Sequence, residues 1–167
     1  IRVAPSMSSD QSAGVSHANR VVRTLLFVDV VESVRLIEDH EEEAVRRWRG
    51  MVERICAEVL PAHGGRLVKS LGDGMLLEFA RVQPAVNAAF TIQRACADAN
   101  AGVPSGEQML VRIGAHVSEL IADDRDVYGR GVNLAARLTT VAGPGEIVVS
   151  AAVRDEITAT LDAEVED

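Results

Sequence analysis

Arg66-Leu-Val-Lys-Ser-Leu71, Gly72-Asp73-Gly74 and Met75-Leu-Leu-Glu-Phe-Ala80 follow one another without a break, and the run reads as two strands folded about an Asp-Gly turn. Just upstream, His63-Gly64-Gly65 stops a helix, because glycine takes the left-handed geometry that follows a helix end. That helix spans Glu41 to Leu60, where Ala44, Val45, Trp48, Met51, Val52, Ile55, Cys56 and Val59 recur at three- and four-residue intervals and make one apolar stripe. Before it, Val21 to Val31 is apolar and β-branched enough for a buried central strand. Downstream, Pro84 to Ala101 is an amphipathic, alanine-rich helix ended by Gly102 and Pro104. Met109 to Leu120 is strand-like, Tyr128 to Val141 helical, Glu146 to Ser150 a short strand, and Ala151 to about Thr158 a last helix. The order β-α-β-β-α-β followed by α-β-α predicts an α+β fold. Its core is of the split βαβ, ferredoxin-like kind, extended by an αβα unit, with helices on one face of a mostly antiparallel sheet.

A chain of 167 residues, 47% of them apolar, suits one domain with one core. Residues 1–20 are rich in serine and lack an apolar period, so they are expected to be a flexible lead-in outside a domain of residues 21–167. The net charge of −8 offers no basic stripe for neutralising nucleic-acid phosphates, and an acidic protein that handles a polyphosphate must recruit cations. No apolar stretch approaches the roughly 20 residues needed to cross a bilayer, so no membrane contact is expected from this segment. Cys56 and Cys96 sit within helical stretches and lack metal-type spacing, which fits buried thiols in a reducing, cytoplasmic compartment. The chain begins at Ile1, leaving room for an upstream regulatory region.

Asp29 is the only charge in Thr24-Leu-Leu-Phe-Val-Asp-Val-Val31, and an ionised carboxylate in an apolar strand needs a cation beside it. Asp73 occupies the hairpin turn, and because sequential elements are usually neighbours, the two carboxylates are expected to converge at one edge of the sheet. An oxygen-only pair of that kind suits Mg²⁺ or Mn²⁺, completed by water and substrate phosphates, and leads to a two-metal site. Lys69, by strand alternation, falls on the side of Leu67 and Leu71. Asn133 and Arg137 are four apart and share a helix face from which they can reach one anion. Each feature has a plainer account: a strand-end cap for Asp29, an ordinary Asp-Gly turn for Asp73, a stem along the sheet for Lys69 and a polar helix face for the last pair.

Taken together, Phe27-Val-Asp29-Val, Lys69-x-x-Gly72-Asp73-Gly74 and Asp126-x-Tyr-Gly-x-x-Val-Asn133-Leu-Ala-x-Arg137 stand in an order and spacing that resembles the class III adenylyl cyclase catalytic domain, over about Arg23 to Ser150. The resemblance implies that Asp29 and Asp73 bind two divalent ions and that Lys69 and Asp126 read the adenine edge. It implies also that Asn133 orients the ribose and Arg137 binds the α-phosphate. It further implies a homodimer with two shared active sites, inactive as monomers, that converts ATP to 3′,5′-cyclic AMP and pyrophosphate. Backbone N–H groups of Val30, Val31, Glu32, Ser33 and Val34 would cradle the outer phosphates. Relatives usually show Gly-Ser/Phe-Thr/Ser where this chain has Glu32-Ser33-Val34, and a carboxylate there predicts weaker nucleotide affinity or a stronger need for metal. The short segment from Leu120 to Tyr128 resembles a short-arm bacterial branch, and a truncated C-terminal edge is expected at Asp167. Guanylyl cyclase is the enzymatic alternative, disfavoured because guanine readers replace the Lys/Asp pair. A nonenzymatic ATP-binding or dimerisation module is the alternative of a different class.

Overall fold

The computed structural model describes residues 1–4, 20–122, 127–128 and 130–158. Among them the chain runs β1 (Arg2–Val3), β2 (Arg20–Val30), α1 (Ser33–Arg54), a π-helical turn (Ile55–Val59), α2 (Leu60–His63), β3 (Gly65–Ser70), β4 (Gly74–Phe79), α3 (Val82–Ala99), β5 (Val111–Ala122), β6 (Val127–Tyr128), α4 (Arg130–Val141), β7 (Ile147–Val149) and α5 (Ala151–Ile157). The strands form one sheet in the order β1-β7-β5-β2-β4-β3, with β6 paired to β5. Every pairing is antiparallel except β5 with β7 and β1 with β7. This is the expected split βαβ arrangement with its αβα extension.

Three features depart from the sequence reading. The first helix begins at Ser33 rather than Glu41 and continues into α2 through the π turn, where Leu60 N–H reaches back to Ile55 O. Pro61 follows, and lacking an N–H it cannot hold the regular ladder at that point. Second, Arg2 and Val3, placed in the lead-in by composition, pair in parallel with Val148 and Val149, and Val3 is buried against the main core. Third, helices cover both faces of the sheet. Residues of α1, α3 and α5 pack on one face with Leu26, Val28 and Val30 of β2, whereas Leu25 and Phe27 face the other way and join Ala135 of α4. The near-continuous apolar run of β2 is the signature of a strand buried from both sides.

Glycine sets how closely α4 approaches. A Cβ on Gly114 of β5 would lie 2.5 Å from Ala135 O and 2.9 Å from Leu138 Cβ, so helix backbone would have to retreat. Overpacking of this kind costs about 1–3 kcal/mol, and Gly114→Ala is expected to lower the thermal midpoint by about 3–10 °C, read by circular dichroism. The two thiols are structural: Cys96 is buried and donates to Met109 O at 2.9 Å, and burial pushes both cysteines up from the ordinary thiol range. Among the described residues no helix is long and apolar enough to cross a membrane.

Candidate active site

The site grows from the β3–β4 hairpin. Leu71 N–H donates to Gly74 O at 2.8 Å and closes the turn, and Gly72 takes φ 70°, a conformation that glycine adopts without strain. Val30 N–H, at the end of β2, donates to Asp73 O at 3.0 Å, and Asp29 stands directly opposite Gly74 in the β2/β4 register. Asp29 and Asp73 are thus brought to the same end of the sheet.

A cationic side chain stands beside Asp29. Arg112, opposite Asp29 in the β2/β5 register, reaches Asp29 Oδ2 with Nε at 2.8 Å and Nη2 at 2.7 Å. The pair is partly buried, where an uncompensated carboxylate would be expensive. Asp29 is therefore not a helix cap; the residue at the start of α1 is Glu32, whose side chain caps nothing there. Sequence reasoning missed Arg112 because its only signal, a charge between Val111 and Ile113 in a strand that also holds Glu119, acquires meaning once the strand register is known.

A Cβ on Gly74 would crowd Val28 O at 3.0 Å and make an ordinary van der Waals contact with Asp29 Oδ1 at 3.6 Å, so glycine keeps the turn close to the end of β2. Among the described residues no group of three or more His, Cys, Asp or Glu forms a closed metal cage. Two carboxylates at one end of the sheet suit a hard divalent ion that keeps water and takes phosphate oxygens.

Lys69 does not lie in the row of Leu67. A β-bulge between Leu67 and Lys69 shifts the register, so that Leu67 pairs with Leu77 but Lys69 pairs with Leu76. Leu77 belongs to the main core and Leu76 to the cluster on the α4 face, so the bulge turns Lys69 onto the face that carries Phe27 and Asp29. Asn133 and Arg137 are both exposed, while Gly131, Ala135, Leu138 and Thr139 are the buried positions of α4. On a 3.6-residue period the polar pair falls opposite that buried face, turned away from the sheet that holds Asp29. Asp126 lies outside the described residues.

Within the stretch expected to cradle phosphates, Val30 N–H donates to Asp73 O at 3.0 Å and Val31 N–H to Leu110 O at 2.8 Å, and α1 begins just beyond, at Ser33. Glu32 has φ 52° and ψ 37°, the one non-glycine residue with positive φ among those described. A left-handed conformation costs a residue with a Cβ about 1–2 kcal/mol. Glu32→Gly is expected to raise the thermal midpoint by about 2–4 °C and to tighten nucleotide binding about fivefold, the worth of one like charge in a solvated site. Thermal melts and titration with a fluorescent ATP analogue check both.

The family model described as the adenylate and guanylate cyclase catalytic domain matches residues 16–166, and the chain belongs to that family. It is 31% identical over 152 residues to putative adenylate cyclase 3 of Rhizobium meliloti, and 32% identical over 137 residues to an adenylate cyclase of Streptomyces coelicolor. These alignments cover 89% and 82% of this chain but 25% and 34% of the relatives, so the chain spans about a quarter to a third of their length. Among solved structures it is similar to an adenylate/guanylate cyclase/hydrolase from Silicibacter pomeroyi, at 30% identity and TM-score 0.80, covering 88% of this chain and 85% of that one. The adenylyl cyclase CyaB from P. aeruginosa, at 20% identity and TM-score 0.76 with 87% and 84% covered, shares the fold.

Proposed function

We propose that the domain is an adenylyl cyclase, converting ATP to 3′,5′-cyclic AMP and pyrophosphate at two shared sites of a homodimer. The observation that carries this reading is the opposed orientation of its two halves. Asp29 and Asp73 sit together on the sheet, whereas Asn133 and Arg137 project from the far side of α4. One chain holds both halves but turns them apart, and a second copy placed head to tail supplies the missing half to each site.

Asp29 and Asp73 would hold two Mg²⁺ or Mn²⁺ ions. When bound, these supply charge that acidifies the ribose 3′ hydroxyl and neutralises the triphosphate. The backbone at the start of α1 receives the outer phosphates. From the partner, Lys69 donates to an adenine ring nitrogen and Asp126 accepts from the exocyclic amine. From the partner's α4, Asn133 orients the ribose for in-line attack and Arg137 stabilises charge developing on the α-phosphate. The Lys69 and Asp126 pair favours ATP over GTP. The homology to proteins named adenylate cyclase supports the same choice.

The deciding experiment measures cyclic AMP from ATP and cyclic GMP from GTP, with Mn²⁺, across protein concentrations. Cyclic AMP formed at a specific activity that rises as the protein dimerises is the expected result. Cyclic GMP as the main product would reassign the substrate; ATP binding without product would make the domain a nucleotide-binding module.

A further inference from the structure

Trp48 is the only tryptophan in the chain, and it lies on α1, far in sequence from every residue given a chemical role above. Its ring packs half-buried against the main core, as its place in the apolar stripe of α1 requires. An aliphatic side chain would fill such a position equally well. What the indole adds is a donor: Trp48 Nε1–H donates to Gly72 O at 2.7 Å.

The position of that acceptor gives the bond its meaning. Gly72 C=O belongs to the peptide joining Gly72 to Asp73, and Asp73 C=O belongs to the peptide joining Asp73 to Gly74. The second carbonyl accepts from Val30 N–H at 3.0 Å. Both peptide planes flanking the Asp73 α-carbon are therefore pinned, one by β2 and one by the Trp48 side chain. Peptide units are rigid and planar, so fixing the two planes fixes φ and ψ of Asp73 and with them the direction of its Cα–Cβ bond. Leu71, Gly72 and Asp73 are exposed, and the Leu71 N–H to Gly74 O bond closes the turn without touching the Gly72 carbonyl.

We infer that Trp48 is a positioning residue for the Asp73 carboxylate, setting from α1 the geometry in which the hairpin meets a divalent ion. The inference rests on the reading of Asp73 as a metal ligand. It has a practical corollary: the intrinsic fluorescence of this protein comes from a side chain bonded to the metal-binding turn, so its emission reports occupancy of that turn.

Trp48→Phe in the full chain tests it, since the variant keeps an aromatic ring in the stripe, though a smaller one, and removes the N–H donor. Free Mn²⁺ is measured by electron paramagnetic resonance in the presence of 3′-deoxy-ATP, which lacks the attacking hydroxyl. The expected result is an Mn²⁺ dissociation constant raised about three- to tenfold, the fold-change of one lost hydrogen bond. Hydrogen exchange should quicken across Leu71–Gly74 and stay unchanged in β5. Mn²⁺ affinity and exchange both equal to wild type would overturn the inference. Asp73→Asn, run alongside, separates the two layers. If it loses Mn²⁺ binding while Trp48→Phe does not, only the role of Trp48 fails; if it binds Mn²⁺ as wild type does, the metal reading fails and the inference with it. Should Trp48→Phe not fold, wild-type emission titrated with Mg²⁺ and 3′-deoxy-ATP decides: a shift that Asp73→Asn abolishes supports the role, and an unchanged spectrum refutes it.

Discussion

Asp29→Asn is expected to lower metal-dependent turnover by at least about a hundredfold, as removal of one preorganised charge from a reacting centre does, with the fold retained. Asparagine keeps the shape of the side chain, and its carbonyl oxygen still accepts from Arg112, which holds Asp29 Oδ2 at 2.7 and 2.8 Å. What disappears is the negative charge, half of the pair contributed by Asp29 and Asp73. Arg112 is 29% exposed, so water compensates part of its lost ion pair, and the stability cost should stay within about 1–3 kcal/mol. The measurement is pyrophosphate release at rising Mn²⁺, with a thermal melt on the same sample. A variant that melts near wild type and turns over at the wild-type rate would remove Asp29 from the metal site and leave it a structural partner of Arg112.

How far the sequence carries depends on whether a feature is local. The hairpin is legible because Gly72-Asp73-Gly74 announces its own backbone conformation, and α3 because its apolar period and the Gly102 and Pro104 stops lie in one stretch. The face occupied by Lys69 is not legible. Alternation counted from Leu67 puts it with the main core, but one extra residue in the bulge inverts every later side chain, and nothing in Arg66-Leu-Val-Lys-Ser-Leu71 marks a bulge. Arg112 and Trp48 escape for a related reason. Each matters through a partner set by tertiary register, Asp29 in one case and Gly72 O in the other, while along the chain one is a strand charge and the other a stripe position. The early start of α1 at Ser33 is hidden because the apolar stripe becomes regular only from Ala44. The covering of both faces, by contrast, was present in Leu25 to Val28 of β2, four consecutive apolar residues that a sheet with one wet face would not need.

Mixing Asp29→Ala with Arg137→Ala is expected to restore activity that neither variant has alone. In a head-to-tail dimer each site takes Asp29 and Asp73 from one copy and Asn133 and Arg137 from the other. An Asp29→Ala homodimer is dead at both sites, and so is an Arg137→Ala homodimer. In the heterodimer one site collects both lesions and the other collects none. Random exchange makes half of all dimers heterodimers with one working site of two, so the mixture should recover about a quarter of wild-type activity. Arg137 is exposed and opposite the buried side of α4, so its removal opens no cavity and leaves Gly131, Ala135 and Leu138 packed as before. The recovery should grow with incubation time as protomers exchange, and should vanish when both substitutions are placed in one chain and mixed with a chain that lacks Asp73 as well as Asn133. Failure of the two single variants to rescue one another, under conditions where differently tagged copies are shown to co-purify, would mean that the working site draws all its groups from one chain. Asn133 and Arg137 would then have to reach Asp29 by a rearrangement of α4, which the close seat of that helix over Gly114 opposes.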